Sequence, residues 1–296
     1  MSEKKLLIFM PTYEVDGVIQ AFPEAVESFY GLEVPEGWQA DWVIGLDNPH
    51  GREGRHKNTL HQYQQIQRRV LDEGYDALIT YEHDMLVPAN GLIKLLEVDA
   101  PIVYGLYMLR HGAYCVNAFL YIESQPSMSK SFTYLPKLYA KAERDGMARV
   151  TGVGMGFTLF RRSVLELFNF RATDKSYPPD WGIAYDAAKY GLKQICRFDV
   201  KCGHIDTDGR VVYPRLAGYE NMTEVKILQR FFYKQLYTPG MIGKVPEEKL
   251  DDFVRAGFVE IIGEPESLPA VKIMNKPSQK STKAIKAKMA EKQGDK

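Results

Sequence analysis

Apolar positions along this chain fall into short runs, separated by longer stretches in which they recur every three or four residues. Leu6-Leu7-Ile8-Phe9-Met10, Trp42-Val43-Ile44-Gly45-Leu46, Ala77-Leu78-Ile79-Thr80-Tyr81 and Ile102-Val103-Tyr104-Gly105-Leu106 are strand-length and apolar on both faces. That is the pattern of buried strands in a mostly parallel sheet. Between them, Leu60, Tyr63, Ile66, Val70 and Leu71 mark one helix, and Leu92, Leu95 and Leu96 mark another that begins after Pro88. The alternation predicts an α/β class with helices flanking the sheet.

The pattern then changes. Ala118-Phe119-Leu120-Tyr121-Ile122 and Phe157-Thr158-Leu159-Phe160 lie in a stretch rich in Gly, Ser and aromatics, which predicts antiparallel strands inserted beside the parallel sheet. Ser163-Val164-Leu165-Glu166 reads as a capping box opening a short helix. Ile183, Ala184, Ala187 and Ala188 predict a helix stopped by Gly191, followed by a strand through Ile195 to Val200. Val225, Leu228 and Phe232 fit an amphipathic helix. Past Pro239-Gly240, a helix through Leu250, Phe253 and Val254 stops at Gly257, before a strand over Phe258-Val259-Glu260-Ile261-Ile262. The division expected is a catalytic domain over 1–238, a small helix-strand appendage over 239–268, and a tail over 269–296.

At 296 residues, 45% hydrophobic and 26% charged, the chain carries enough apolar material for one sizeable core. No apolar run reaches the roughly 18 residues of a membrane span, and the N-terminus has no secretory signal pattern. The expectation is a cytoplasmic protein without integral membrane association. Cys115, Cys196 and Cys202 lack CxxC spacing and read as reduced thiols. Formal net charge is zero, but residues 271–296 hold eight Lys against Glu291 and Asp295, a local +6. Such a segment reads as a solvated disordered tail, with a tether to a polyanion as the alternative.

In open α/β sheets, ligands gather beyond the carboxyl ends of the parallel strands. Polar residues follow each apolar run there: Pro11-Thr12-Tyr13-Glu14, Asp47-Asn48-Pro49-His50 and Glu82-His83-Asp84. If the chain stays extended, Glu82 and Asp84 point to one side, and two carboxylates suit Mg²⁺ or Mn²⁺ shared with substrate phosphates. An acidic loop capping the following helix is the competing reading. His204, at the end of Cys202-Gly203-His204, could add an imidazole ligand or be purely structural. Gly152-Val153-Gly154-Met155-Gly156 matches neither a P-loop nor a dinucleotide fingerprint. It is either a tight turn or a place of close backbone approach to a ligand.

Taken in order, these features resemble the glycosyltransferase-A superfamily over roughly residues 4 to 206. They run from Pro11-Thr12-Tyr13 through Asp47, Glu82-His83-Asp84, Ile102-Val103-Tyr104-Gly105 with Tyr107 and Arg110, and Gly154-Met155-Gly156-Phe157 with Arg161-Arg162-Ser163, to Asp180, Gly191 and Cys202-Gly203-His204. The resemblance implies a GT-A, Rossmann-like fold and a nucleotide-sugar donor, with a UDP-sugar favoured. Glu82-His83-Asp84 then stands for the family's DxD motif, with Asp84 the direct ligand of Mn²⁺ or Mg²⁺ and Glu82 nearer the ribose or a metal-bound water. His204 stands for its late metal-binding His. Pro11, Thr12 and Tyr13 would surround the base, Asp47 would contact base or ribose, and Gly154 would lie close to sugar or acceptor. Asp180 would be the general base of an inverting enzyme, with Asp186 its competitor. Glu in place of the first Asp of DxD, and Pro179 where a Glu is usual, are departures from the pattern.

Arg52, Arg55 and Lys57 could contact phosphate or simply form an exposed basic loop. Trp181 and Tyr185 could stack on a sugar or base, or belong to the core. The acceptor is open. A hydroxymethylated base in phage DNA is one candidate, a saccharide or lipid-linked glycan another. A non-catalytic module that binds nucleotide sugar or nucleic acid is the reading from outside the enzymes, and a nucleotidyltransferase lacks its early Gly-rich basic loop here.

Overall fold

The computed structural model describes residues 3–261, apart from 16–17, 52–54, 110–114, 123–124, 153, 173–178, 215–221, 229–230, 234, 238–241 and 247–252. The chain opens with β1 (Lys4–Pro11), whose last six residues are all buried. A small hairpin of β2 (Glu14–Val15) and β3 (Val18–Ile19) follows. Next come α1 (Pro23–Tyr30), β4 (Trp38–Gly45), α2 (Arg55–Asp72), β5 (Ala77–Tyr81), β6 (Met85–Leu86), α3 (Gly91–Leu96) and β7 (Ile102–Leu106). The antiparallel pair β8 (Phe119–Ile122) and β9 (Gln125–Ser131) leads into α4 (Pro136–Asp145) and β10 (Met147–Val150). Then β11 (Phe157–Arg161), α5 (Arg162–Leu167), α6 (Pro179–Lys189), β12 (Gln194–Lys201), β13 (Gly203–Ile205) and β14 (Val211–Val212) complete the main body.

Seven strands form one sheet in the order β10-β12-β7-β11-β5-β1-β4. The pairs β1·β4, β1·β5 and β7·β12 are parallel, while β11 and β10 run against their neighbours. The architecture is therefore mixed α/β, with a mostly parallel sheet flanked by helices. Side chains alternate across the sheet as the pleat requires. Leu7, Phe9, Leu78 and Phe160 pack on one face with Tyr63, Ile66 and Val70 of α2. Leu6, Ile8, Met10, Ile79, Val103, Phe157 and Leu159 pack on the other, with Phe29 of α1 and Leu92 and Leu95 of α3.

Four expectations need correcting or refining. The antiparallel strand β11 is not beside the parallel set but inside it, between β5 and β7. Ser163 does not cap a helix: α5 starts at Arg162, with extended Arg161 at the N-cap and no side-chain cap. The helix expected through Val225 and Phe232 is instead β15 (Met222–Ile227) followed by β16 (Phe231–Tyr233), which pairs with β17 (Gln235–Tyr237). Gly257 does end a short helical stretch, with φ 71°. The strand after it, β19 (Val259–Ile261), joins β18 (Ile242–Pro246) on either side of β15. The small C-terminal sheet thus takes in residues on both sides of 238. The tail over 269–296 lies outside the described residues. Among the described residues, no helix is long and apolar enough to cross a membrane.

Candidate metal centre and cleft

Parallel register brings the ends of β1, β4 and β5 together, with Pro11 opposite Gly45 and Phe9 opposite Thr80. The loops that follow share one edge of the sheet, the usual place for ligands. At the end of β5, Glu82 N donates to Gly156 O at 2.9 Å, and a turn closes with Met85 N donating to Glu82 O at 3.1 Å. The chain therefore bends at Glu82-His83-Asp84 instead of staying extended. Antiparallel pairing of β6 with β13 sets His204 opposite Met85, and Ile205 N donates to Asp84 O at 2.8 Å. As a result Glu82, Asp84 and His204 offer ligand atoms that all lie within 4.8 Å of one another. The turn, with β13 laid alongside, and not strand alternation, brings the groups together.

Asp84 is 1% exposed and His204 5%. His204 Nδ1 stands 2.7 Å from the carbonyl oxygen of Met108, and since a carbonyl only accepts, Nδ1 carries the hydrogen. In the neutral ring this leaves a lone pair on Nε2, which is buried without a hydrogen bond among the described residues and lies 3.6 Å from Asp84 Oδ1. That separation is beyond hydrogen-bond length, so the carboxylate acts on the ring by charge. Burial pushes the His204 pKa down, and the Asp84 carboxylate first, with the Met108 carbonyl and the Glu82 charge, more than offsets it, leaving the group above its ordinary value. Tyr107 packs edge-on against the imidazole at 5.4 Å.

The cluster lies at one side of a cleft of about 1190 Å³. Its lining is part apolar, with Pro11, Tyr13, Val18, Ile19, Phe22 and Pro23, and part polar, with Asn48, Asn58, Thr59 and Gln62. A second cavity of about 560 Å³ opens at the opposite edge, where Lys4 and Arg161 both lie over the Trp38 ring. No ligand-atom cluster of His, Cys, Asp or Glu falls there among the described residues.

Pro11, Thr12, Tyr13, Glu82, His83 and Asp84 all line the large cleft, but they are not equally available. Thr12 is 6% exposed and its polar atoms are already used. Its N donates to Gly45 O, its Oγ1 donates to Gln20 O, and its carbonyl accepts from Gln62 Nε2 at 2.8 Å and Asn48 Nδ2 at 3.1 Å. Thr12 shapes the wall, and Tyr13, which lines the cleft beside it, is exposed. Asp47 is tied back to α2, its Oδ2 2.9 Å from both His61 Nε2 and Gln65 Nε2. Those bonds, His61 first and then Gln65, hold its carboxyl below the usual carboxylate range.

Gly154 O accepts from Thr158 Oγ1 at 3.1 Å, and Gly154 is not among the cleft-lining residues. The close approach in this turn belongs to Gly156, where a Cβ would meet the Tyr107 ring at 2.7 Å and Met85 sulfur at 3.2 Å. Gly156→Ala should therefore lower stability by about 1–3 kcal/mol through overpacking. An unchanged urea midpoint and slope would contradict that contact.

Asp180 is the second residue of α6, and Arg55 is the first of α2. The side chains of Asp180, Trp181 and Arg55, together with all of Arg52 and Arg110, lie outside the described residues. Asp186 makes a two-pronged ion pair with Arg171, both contacts at 2.8 Å. Both oxygens of that carboxylate are thereby engaged by the guanidinium. Tyr185 is 43% exposed on the same helix.

Sequence reasoning passed over Gln62, Thr207 and the Met108 carbonyl. Gln62 had a faint signal: it is a polar residue beside Tyr63 on the buried stripe of α2, and it proves 3% exposed. The Met108 carbonyl had none, because a main-chain acceptor leaves no trace in residue type.

No family model matches the chain, and no curated protein matches it. One solved structure similar to it is that titled "Crystal Structure of A197 from STIV", with 12% identity, 71% of this chain and 94% of that chain covered, and a TM-score of 0.42. A likeness of that size says nothing about what the cleft binds.

Proposed function

We propose that the protein is a glycosyltransferase of GT-A type. It would move a sugar from a nucleotide-diphosphate donor, a UDP-sugar foremost, to an acceptor hydroxyl. One observation carries the reading: Glu82, Asp84 and His204 converge beside a large cleft at the carboxyl ends of the parallel strands. Two carboxylates and an imidazole whose Nε2 is buried without a hydrogen bond among the described residues fit Mn²⁺, and Mg²⁺ less well because of the nitrogen donor. Donors each about 2.1 Å from one such cation stand about 3 Å apart at a right angle. Modest side-chain rotation from the present spacing would meet that condition.

A bound cation would supply Lewis-acid stabilisation of the charge that builds on the departing diphosphate. The chain's own residues would do the rest. Asp84 and His204 hold the ligand geometry, Glu82 faces the donor's ribose or a water, and Tyr13 offers a flat face to the base. Asp180 is our candidate for the general base that takes the acceptor proton, since Asp186 is occupied by Arg171. The +6 segment over 271–296 favours a polyanionic acceptor, and DNA with a hydroxymethylated base is the one we put forward.

Release of nucleoside diphosphate from a panel of nucleotide sugars, with Mn²⁺ or with EDTA, tests the reading. Release from one donor in Mn²⁺ alone is expected, faster when hydroxymethylated DNA is added. No release from any donor, with no metal-dependent nucleotide binding, would refute it.

The pH dependence of metal binding has a definite sign. Because the folded-state pKa of His204 is raised, the stability gained from the protonated ring is present below the unfolded value and lost as pH rises through the folded one. Metal binding runs the other way, since the proton must leave Nε2. Mn²⁺ affinity should fall about tenfold per pH unit below that raised pKa, measured by titration across a pH series. A flat profile through the His204 titration would exclude the imidazole as a ligand.

A further inference from the structure

Asn117 is fully buried and far in sequence from every ligand of the centre, yet its contacts lead to one. After β7 the chain leaves and returns so that Met108 and Val116 face each other in a short antiparallel ladder, with Asn117 N donating to Tyr107 O at 3.0 Å and Leu109 N to Cys115 O at 2.9 Å. Met108 is the residue between those two bonds, so its own carbonyl points away from the ladder. There it accepts from His204 Nδ1. The Asn117 side chain closes the other half of the bracket: its Oδ1 accepts from Tyr107 N at 2.9 Å, and its Nδ2 donates to Gly105 O at 3.4 Å. Tyr107 is therefore bonded at both its N and its O by one residue, immediately before the carbonyl that orients the imidazole.

We propose that Asn117 is a positioning residue for the metal ligand His204, acting through the Tyr107–Met108 backbone. The inference rests on the metal reading given above and adds to it the group that fixes the ligand. A bond from the far nitrogen of a ligating imidazole sets both its tautomer and its direction, and loss of such a partner typically weakens metal binding 10–100-fold. Removing the Asn117 side chain frees the Tyr107 amide, lets the Met108 carbonyl turn, and removes the constraint that keeps the proton on Nδ1. Buried Ser131 and Thr133 make the useful contrast. Ser131 Oγ donates to Val116 O and Thr133 Oγ1 accepts from Val116 N, each at 2.7 Å. They secure the same ladder one residue away, at Val116.

The test is a Mn²⁺ titration of the full chain as wild type, Asn117→Ala and Thr133→Val, with urea unfolding of each. The expected result is Mn²⁺ binding about 10–100-fold weaker in Asn117→Ala, and within a factor of about two of wild type in Thr133→Val. A folded Asn117→Ala that binds Mn²⁺ like wild type overturns the proposal, and so does an equal loss in both variants. Should Asn117→Ala fail to fold, nitrogen NMR of the His204 ring in the unaltered protein decides: a proton on Nδ1 supports the chain of contacts, one on Nε2 overturns it. Failure of the functional reading would look different. Wild type would then bind Mn²⁺ with the variants ordered as above, but release no nucleoside diphosphate.

Discussion

Asp84→Ala is expected to cut metal-dependent nucleoside diphosphate release by about 100- to 1,000-fold, the loss usual when a group stabilising transition-state charge is removed. The residue is 1% exposed, its carboxylate lies 3.6 Å from His204 Nε2, and its backbone carbonyl accepts from Ile205 N. The main chain there is held by β6 and β13 independently of the side chain, so the fold should survive. Excess Mn²⁺ should not restore the rate, because Glu82 and His204 then lack the buried carboxylate of the cluster. Release within a few-fold of wild type would mean that any metal on the path binds elsewhere.

The largest expected effect on stability comes from the other side of the same strand junction. Phe157→Ala should cost about 3–5 kcal/mol, a large share of the roughly 5–15 kcal/mol by which a domain is stable. Phe157 is fully buried on β11, in contact distance of Tyr81 at 6.0 Å between ring centres. Two glycines make room for the ring: a Cβ on Gly105 would come within 2.9 Å of it, and one on Gly91 within 3.4 Å. Little can collapse into that space, because the sheet runs past on one side and α3 on the other. Urea denaturation reads the change. A loss under about 1 kcal/mol would mean that the region around Phe157 is loosely packed.

What could be read from the residues alone follows from how locally each feature is encoded. The runs at Leu6, Ala77 and Ile102 are apolar on both faces because helices cover both sides of the sheet, so their burial shows in composition without any partner being known. Glu82-His83-Asp84 is visible because polar residues interrupt such a run at its end. The antiparallel direction of β11 was expected from the change of composition around Phe157-Thr158-Leu159-Phe160, but its place between β5 and β7 was not legible, since its neighbours are remote in sequence. Val225 and Phe232 misled for another reason: a few apolar residues at helical spacing also fit short strands. α1 and α4 were missed because each buries few side chains, Ala25 and Phe29 in the first and chiefly Tyr139 and Ala142 in the second. In the site, His204 could be suspected from its type, whereas the saturation of Thr12, the Arg171 clamp on Asp186 and the Met108 acceptor depend on contacts that only the fold creates.

The most direct measurement is the binding of Mn²⁺ to the intact chain with and without UDP. Shared ligation of one cation by the protein and a diphosphate requires that each tighten the other by the same factor. The predicted result is one Mn²⁺ per chain, bound more tightly when UDP is present, and lost in Asp84→Ala. Absence of Mn²⁺ binding, or binding indifferent to both UDP and Asp84, would contradict the claim that Glu82, Asp84 and His204 form the metal centre of a nucleotide-sugar enzyme.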